Sequence, residues 1–572
     1  MKFRSFISAL VAVTIVLFVL GLGGWLSLMA RTPLTVLPGV EAVPEATLFV
    51  DKRSPVVVSL TVSPDRLLEL RQVFAAPSQR RQAAQDIQRL QAGLLAQTRL
   101  DYERDIRPWL GNEVTFAVTS PDLDRDPQNG AQPGYLMALA SRDGEQARQF
   151  MQLFWQKRAI AGENLTFEQY AGVKLIYAAT AEQPRDSRAS LPGSYPLASA
   201  VVGDRFVLLA NSPTVLRQAV NAAQASNLNL QQTPHYRQAL RNLPERRLGL
   251  IYCDFSQLSS WLVGLPEAAA VDRSEQKIDN LLVNLQLTGQ GVLADTLLTA
   301  AAGEAFEPMR PQLSQPPVGL QSVPAIAPFV AAGNRLSPLV EEINSGFRGY
   351  PVIQQLVEPL LDQLRNQWNI DLPSVLAHFG EGDYALAWLP RAEQPRSDWL
   401  FTIQNDAKTA DYLATLDEQA RQQGLSVGTL AVDEQPVTAW ARLSAGTQTA
   451  DPDALALKAD VIGLKAVAND QVILSTSAES LGQALAAGNR SILKSADFRQ
   501  AIAALDADNN GYLYFDWPQV GDAIIQRSPQ LRWLSTALDP FLKYLKSVTI
   551  SSYDSDANFK RGGIFIRLVE AQ

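Results

Sequence analysis

The chain repeats itself. "TPHYRQALRNLPERRLGLIYCDFSQL" (233–258) aligns with "SADFRQAIAALDADNNGYLYFDWPQV" (495–520). In each, Thr233 or Ser495 precedes an aromatic and Arg-Gln-Ala, and Gly249 or Gly511 leads into a run ending at Asp254 or Asp516. Upstream, "VVGDRFVLLANSPTVLRQAV" (201–220) echoes "AVANDQVILSTSAESLGQAL" (466–485). Further back, "SRDGEQARQFMQLF" (141–154) echoes "QNDAKTADYLATL" (404–416), and "RPWLGNEVTFAV" (107–118) echoes "LAHFGEGDYALAW" (376–388). Four matches in one order at near-constant separation predict a tandem duplication. Whatever one half builds, the other half must then be able to build too.

The shared unit reads as α+β. A helical region comes first, with Ile87, Leu90, Leu94 and Leu95 on one face and Arg80, Arg81 and Arg89 on the other. Strands follow at about 112–118 and 134–140, then a helix from near Asp143, then strands at about 163–169, 173–179, 196–202 and 205–210. Ser212 ahead of Pro213 sets a cap residue before proline in a first helical turn. Thr476 and Glu479 stand at capping-box spacing in the second half. A strand around 248–254 and a closing pair around 279–299 complete the unit. Short turns between neighbouring strands imply mostly antiparallel pairing. The expected fold is two homologous α+β domains with packed helices, at 45–301 and 326–570. The proline-bearing segment 302–325 reads as a linker.

Before the repeat stands "MKFRSFISALVAVTIVLFVLGLGGWLSLMAR". The run from Ser5 to Ala30 carries no charge and exceeds the ~20 residues that a bilayer-spanning helix needs. A cleaved signal peptide has a shorter apolar region and a small-residue exit, whereas "SLMA" puts Leu28 where a small residue is wanted. Residues 1–31 therefore read as a cytoplasmic stub and single-pass transmembrane signal anchor. Lys2 and Arg4 orient its N-terminus to the cytoplasm, and the body is expected outside it.

Composition narrows function by exclusion. A formal net charge of −8 opposes nucleic-acid binding, which requires a basic surface. One cysteine, Cys253, forms no intrachain disulfide, and two histidines, His235 and His378, give no zinc pattern. Asp506, Asp508, Asn510 and Gly511 match the opening of an EF-hand loop. Their first-half counterparts are Pro244, Arg246, Leu248 and Gly249, and Trp517 stands where a bidentate glutamate is required. The shared element is thus a helix-to-strand turn that needs glycine. A second triplet, Asp122, Asp124 and Asp126, has Pro127 at the glycine position.

"GLSVG" (424–428) matches a nucleophile elbow around Ser426, but here a helix leads into a strand, the reverse of that motif. "GQGVLA" (289–294) reads as a hairpin turn. His235 aligns with Asp497, so the halves share no chemistry there; His378 reads as structural; Cys253 aligns with Phe515 and reads as a small buried hydrophobe. Asp254 and Asp516 are expected to cap the helices that follow them. No catalytic, cofactor-binding or metal site is predicted, and no cofactor.

Taken together, the N-terminal run, the repeat and the stretches "GDRFVLLANSP" and "RRLGLIYCDFSQL" resemble an uncharacterised cyanobacterial family of membrane-anchored proteins, classed as a domain of unknown function. The resemblance implies a periplasmic or thylakoid-lumen body and brings no catalytic residues with it. The expected role is non-enzymatic: protein interaction, or envelope and thylakoid maintenance. Loops at 120–134, 181–195, 389–398 and 443–453 fall at matching points of the repeat and are the expected contact sites for a protein partner. The rival readings are a carrier or sensor of a lipid or other apolar ligand, and a divergent hydrolase.

Overall fold

The structure is a computed structural model that describes residues 40–41, 43–62, 101–126, 131–178, 197–263, 277–288, 290–336, 379, 382–391, 398–448, 451–521, 542 and 545–568. The expected anchor (1–31) and the amphipathic stretch around 80–95 lie outside the described residues. Among the described residues no helix is long and apolar enough to cross a membrane.

Twenty antiparallel strands of the described residues form one sheet. The N-terminal half supplies β1 (Val56–Leu60), β2 (Leu110–Ser120), β3 (Gly134–Ser141), β4 (Leu165–Tyr170), β5 (Val173–Ala178), β6 (Ala198–Val202), β7 (Phe206–Ala210), β8 (Gly249–Asp254), β9 (Ile278–Thr288) and β10 (Gly291–Ala300). The C-terminal half supplies β11 (Phe329–Gly333), β12 (Tyr384–Leu389), β13 (Asp398–Gln404), β14 (Ser426–Val432), β15 (Gln435–Gln448), β16 (Asp451–Ala468), β17 (Gln471–Ser475), β18 (Gly511–Asp516), β19 (Leu545–Ser555) and β20 (Phe559–Leu568). In space the first ten run β4-β5-β6-β7-β3-β2-β1-β8-β9-β10. The second ten run β14-β15-β16-β17-β13-β12-β11-β18-β19-β20. The two orders are the same, strand for strand.

Two separate bodies would have two separate sheets; instead, β10 pairs with β20 and the sheet runs through both halves. Gly291 faces Arg567, Phe559 faces Thr299, and Asp295 faces Gly563 at the centre. Since β10 and β20 close their respective halves in the same way, this register maps onto itself when the halves are exchanged. It is the pairing that a two-fold dimer makes, here inside one chain. The contact is close: a side chain at Gly291 would be driven into the Ile566 carbonyl oxygen. Joining the two strands also hides two edges that would otherwise recruit other chains.

The helices occupy matching positions: α1 (Gly144–Ile160), α2 (Pro213–Gln224), α3 (Pro234–Arg241) and α4 (Phe255–Val263), then α5 (Ala407–Gln422), α6 (Ala478–Leu485) and α7 (Ala496–Ala503). Their starts are fixed by short polar side chains that accept otherwise orphaned N–H groups. Asp143 accepts from Gln146 N, Asp406 from Thr409 N and Ser212 from Thr214 N. The expected capping box at Thr476 is displaced by one residue. Ser477 is the cap, accepting from Ser480 N, while the Thr476 hydroxyl is held on β13 by Trp399 N and Asp398. The short 3-10 turns Glu45–Phe49 and Val318–Ser322 begin alike, on carboxylates of Glu113 and Asp383.

Most of the core lies between sheet and helices within each half, and one cluster joins the halves, with Val292 and Ala294 packed with Leu545 and Leu568. Leu136, Leu208 and Leu250 pack with Val215 and Leu216 of α2 and Tyr236 of α3. Leu400, Ile473 and Phe565 pack with Leu481 of α6 and Phe498 of α7. The segment before β11 lies on the second half: Met309 bridges to Ser555 and Leu313 to Asn509, while Leu320 and Val323 are fully buried. The region 443–453, expected as a loop, is mostly a continuation of β15 and β16, paired from Arg442–Asp460 out to Gln448–Asp451. Mutual pairing of the two strands satisfies their backbone groups.

Candidate functional site

At the start of α3 the chain opens a cavity of about 200 Å³ against β8, β9 and β10. Lys52 and Arg53 enter from the turn before β1, whose position is set by Lys52 N donating to Leu228 O at 2.9 Å. His235 comes from the first turn of α3, Tyr252 and Asp254 from the end of β8, and Asp279 from β9. Lys52, Arg53 and His235 are exposed at the rim, and Tyr252 is buried.

The inner wall is a hydrogen-bonded chain. Tyr252 donates to Asn280 Oδ1 at 2.6 Å, Asn280 Nδ2 donates to Asp279 Oδ2 at 2.6 Å, and Asn280 N donates to Thr299 Oγ1 at 3.1 Å. Burial first, then the carboxylates of Asp254 and Asp279, raise the Tyr252 phenol well above its ordinary value, so it remains a neutral donor. Asp254 also does what the sequence predicts and caps α4, accepting from Gln257 N at 2.9 Å. Its counterpart Asp516 accepts from the Gln519 side chain at 3.0 Å.

The second half fills the same ground with its own side chains. By strand register Asp516 stands for Asp254, Ser547 for Asn280 and Arg567 for Thr299. Arg567 Nη1 lies 2.8 Å from Asp497 Oδ1, its other terminal nitrogen donates to Gln500, and Lys546 reaches the same Asp497 oxygen at 2.6 Å. Burial works against the charge on Asp497, yet the hydrogen bonds from Lys546 and Arg567 outweigh it and hold the carboxyl below its ordinary value. Asp497 is the residue that aligns with His235. In the sequence the mismatch of these two reads as a lack of shared chemistry. In the fold it separates a cavity with an exposed imidazole beside it from ground where the carboxylate is tied to Arg567 and Lys546.

The other singled-out residues are scattered. In the acidic turn, Asp506 and Asp508 are exposed and the organising residue is Asn509, fully buried. Its Nδ2 donates to Asp506 O, Ala507 O and Tyr512 Oη, and its Oδ1 accepts from Gly511 N. Asn510 is engaged as well, accepting from Gln312 N and donating to Tyr553 O. In the other triplet Asp122 is buried and accepts from Gln132 N at 3.0 Å, closing the loop between β2 and β3; Asp124 accepts from Asp126 N. Burial, ahead of the neighbouring acids, raises Asp122. Ser426 opens β14 after α5, a helix-to-strand step through Gly424 at φ +80. Burial pushes the Cys253 thiol up to about 12, so it is not a thiolate at neutral pH. His378 lies outside the described residues. Among those residues no group of three or more His, Cys, Asp or Glu is placed to hold a metal ion.

The family model described as "Protein of unknown function (DUF3352)" matches residues 10–568. No curated protein matches the chain. A solved structure titled "Structure of crystal form III of TP0453" aligns over 47% of this chain and 84% of that one, at 8% identity and a TM-score of 0.23.

Proposed function

The chain belongs to this family of proteins of unknown function (DUF3352), and we propose that it is a non-enzymatic recognition protein, built by duplication and tethered to a membrane by its N-terminal apolar run. In this reading the chain comes from a cyanobacterium, and its body faces the periplasm or the thylakoid lumen. One observation carries the recognition role. The connection between β2 and β3 and the one between β12 and β13 leave the continuous sheet at equivalent points, yet differ in length and sequence. A rigid scaffold that repeats while its loops diverge suits recognition rather than catalysis. The repeated strand order and the self-complementary β10–β20 ladder support the duplication.

The test is capture from solubilised native membranes with the full chain and with a variant whose 121–133 connection is replaced by a Gly-Ser linker. A polypeptide held by the first and lost by the second supports the proposal. Equal capture by both, or a stoichiometric lipid in place of a polypeptide, contradicts it.

A further inference from the structure

We propose that the first-half cavity is a binding site for a small zwitterion, an ammonium and a carboxylate on a frame the size of a free amino acid. Its volume of about 200 Å³ lies below the range of ~300–1,000 Å³ typical for drug-sized ligands, so the occupant has few heavy atoms. Charge is divided across it. Asp254 and Asp279 lie on the strands, and Lys52, Arg53 and His235 lie on the exposed side, with Arg53 Nε 3.5 Å from Asp51 Oδ1.

The second half supplies an independent argument. There the equivalent ground holds a buried guanidinium, Arg567, on the carboxylate of Asp497, with Lys546 on the same oxygen. In the first half Thr299 replaces that arginine and withdraws the plug. Asp279 stands where Lys546 does, and His235 where Asp497 does. Lys52 and Arg53 stand where the second half has Ala325 and Ile326, a correspondence fixed by Pro55 O and Pro328 O, which accept from Asp254 N and Asp516 N. Acid and base have changed places, and the internal cation has gone.

An ammonium fits the acidic floor. A carboxylate accepts up to about four hydrogen bonds, so Asp254 and Asp279 can receive one in addition to the partners they already have. A carboxylate fits the basic rim, where charge-assisted bonds from Lys52 and Arg53 are the strong kind. A ligand with a single charge satisfies one side and leaves the other.

The test is titration calorimetry of the full chain in detergent with glycine and alanine as probes, and with ethylamine and acetate as single-charge controls. Amino-acid binding at least tenfold tighter than either control is expected. Thr299→Arg, which restores the plug, is expected to abolish binding, and Asp279→Asn to weaken it at least tenfold. Should Thr299→Arg fail to fold, the exposed pair Lys52→Ala and Arg53→Ala gives the same reading by weakening binding at least tenfold. No heat from amino acids up to ~10 mM, acetate binding as tightly as glycine, or binding indifferent to these substitutions would overturn the proposal. None of these outcomes bears on protein capture through the 121–133 loop, so this site and the recognition role fail separately.

Discussion

Arg247 and Asn509 perform one task in the two halves: each donates to the two carbonyls of the turn that leads into the following glycine. Arg247 Nη2 and Nε reach Pro244 O and Glu245 O at 3.0 and 3.2 Å. Asn509 Nδ2 reaches Asp506 O and Ala507 O at 2.9 and 3.1 Å. Residues as unlike as these share the role because the carbonyls to be satisfied recur while the donor is free to vary; the glycines that follow differ, Gly511 standing at φ +138 and Gly249 outside the left-handed region. The acidity at Asp506 and Asp508 is an addition to the outside of that turn.

Asn509→Ala is therefore expected to destabilise the protein by about 1–3 kcal/mol, the cost of losing this donor and leaving the buried Tyr512 hydroxyl without it. Urea unfolding measures it. The double variant Asp506→Asn, Asp508→Asn is expected to stay within about 0.5 kcal/mol of the parent, as surface changes do. Its melting temperature should also be the same with calcium or with a chelator. A calcium-dependent shift in the parent that vanishes in the double variant would contradict this account of the turn.

Gly511 has φ +138, and a side chain there would be pushed into the Ala332 carbonyl oxygen of the neighbouring strand. Gly511→Ala is expected to cost upwards of about 2 kcal/mol. Gly428 lies on the outer strand β14, where an added methyl group would meet nothing within 4 Å, and Gly428→Ala is expected to be near neutral. Thermal unfolding of the two variants side by side checks the contrast.

The plugged and open sites should respond differently to truncation. Asp497→Ala removes the carboxylate that Arg567 and Lys546 share, and leaves Arg567, with 10% of its side chain exposed, short of its counter-charge. A loss of about 1–3 kcal/mol is expected. His235→Ala, at the equivalent but exposed position, is expected to change stability by less than about 0.5 kcal/mol. Equal losses would contradict the distinction between the two sites.

Glu113 gives a pH signature. Burial raises its carboxyl above the ordinary value of 4.5, against N–H groups of Ala46 and Glu45 and the Thr115 hydroxyl that pull it down. The folded state then holds the proton more readily than the unfolded one. The stability linked to that proton is complete below the unfolded value and is lost as pH rises through the raised folded value. Glu113→Gln removes this dependence. The stability of the parent relative to the variant should fall as pH rises from about 4.5 toward neutrality, followed by urea unfolding at a series of pH values. A difference constant across that window would contradict the assignment.

Much of the fold is legible in the residues. β2 through β8 and the starts of α1 and α2 fall close to where alternation, capping residues and Pro213 put them, because those signals are local. The single sheet is not legible. The match between β10 and β20 depends on two edges far apart in sequence, and neither edge carries a mark naming its partner. Polarity also misleads at 443–453, where residues that suit a loop pair with one another in a ribbon. The turn at Asn509 stands out in the sequence for its acids, since the residue that organises it looks like an ordinary turn asparagine. The cavity is hidden for a different reason. Two stretches of like sequence draw attention to the residues they share, whereas the contrasts of His235 with Asp497 and Thr299 with Arg567 carry the signal.

The central claim is that two equivalent halves are fused into one sheet through β10 and β20. Hydrogen exchange of backbone amides, resolved by peptide, tests it most directly in the intact chain. Amides of 291–299 and 559–567 are expected to exchange as slowly as those of β8 and β18, and far more slowly than those of the outermost strand β14. Exchange in β10 and β20 as fast as in β14 would mean that the two strands are edges, and that the halves are separate bodies.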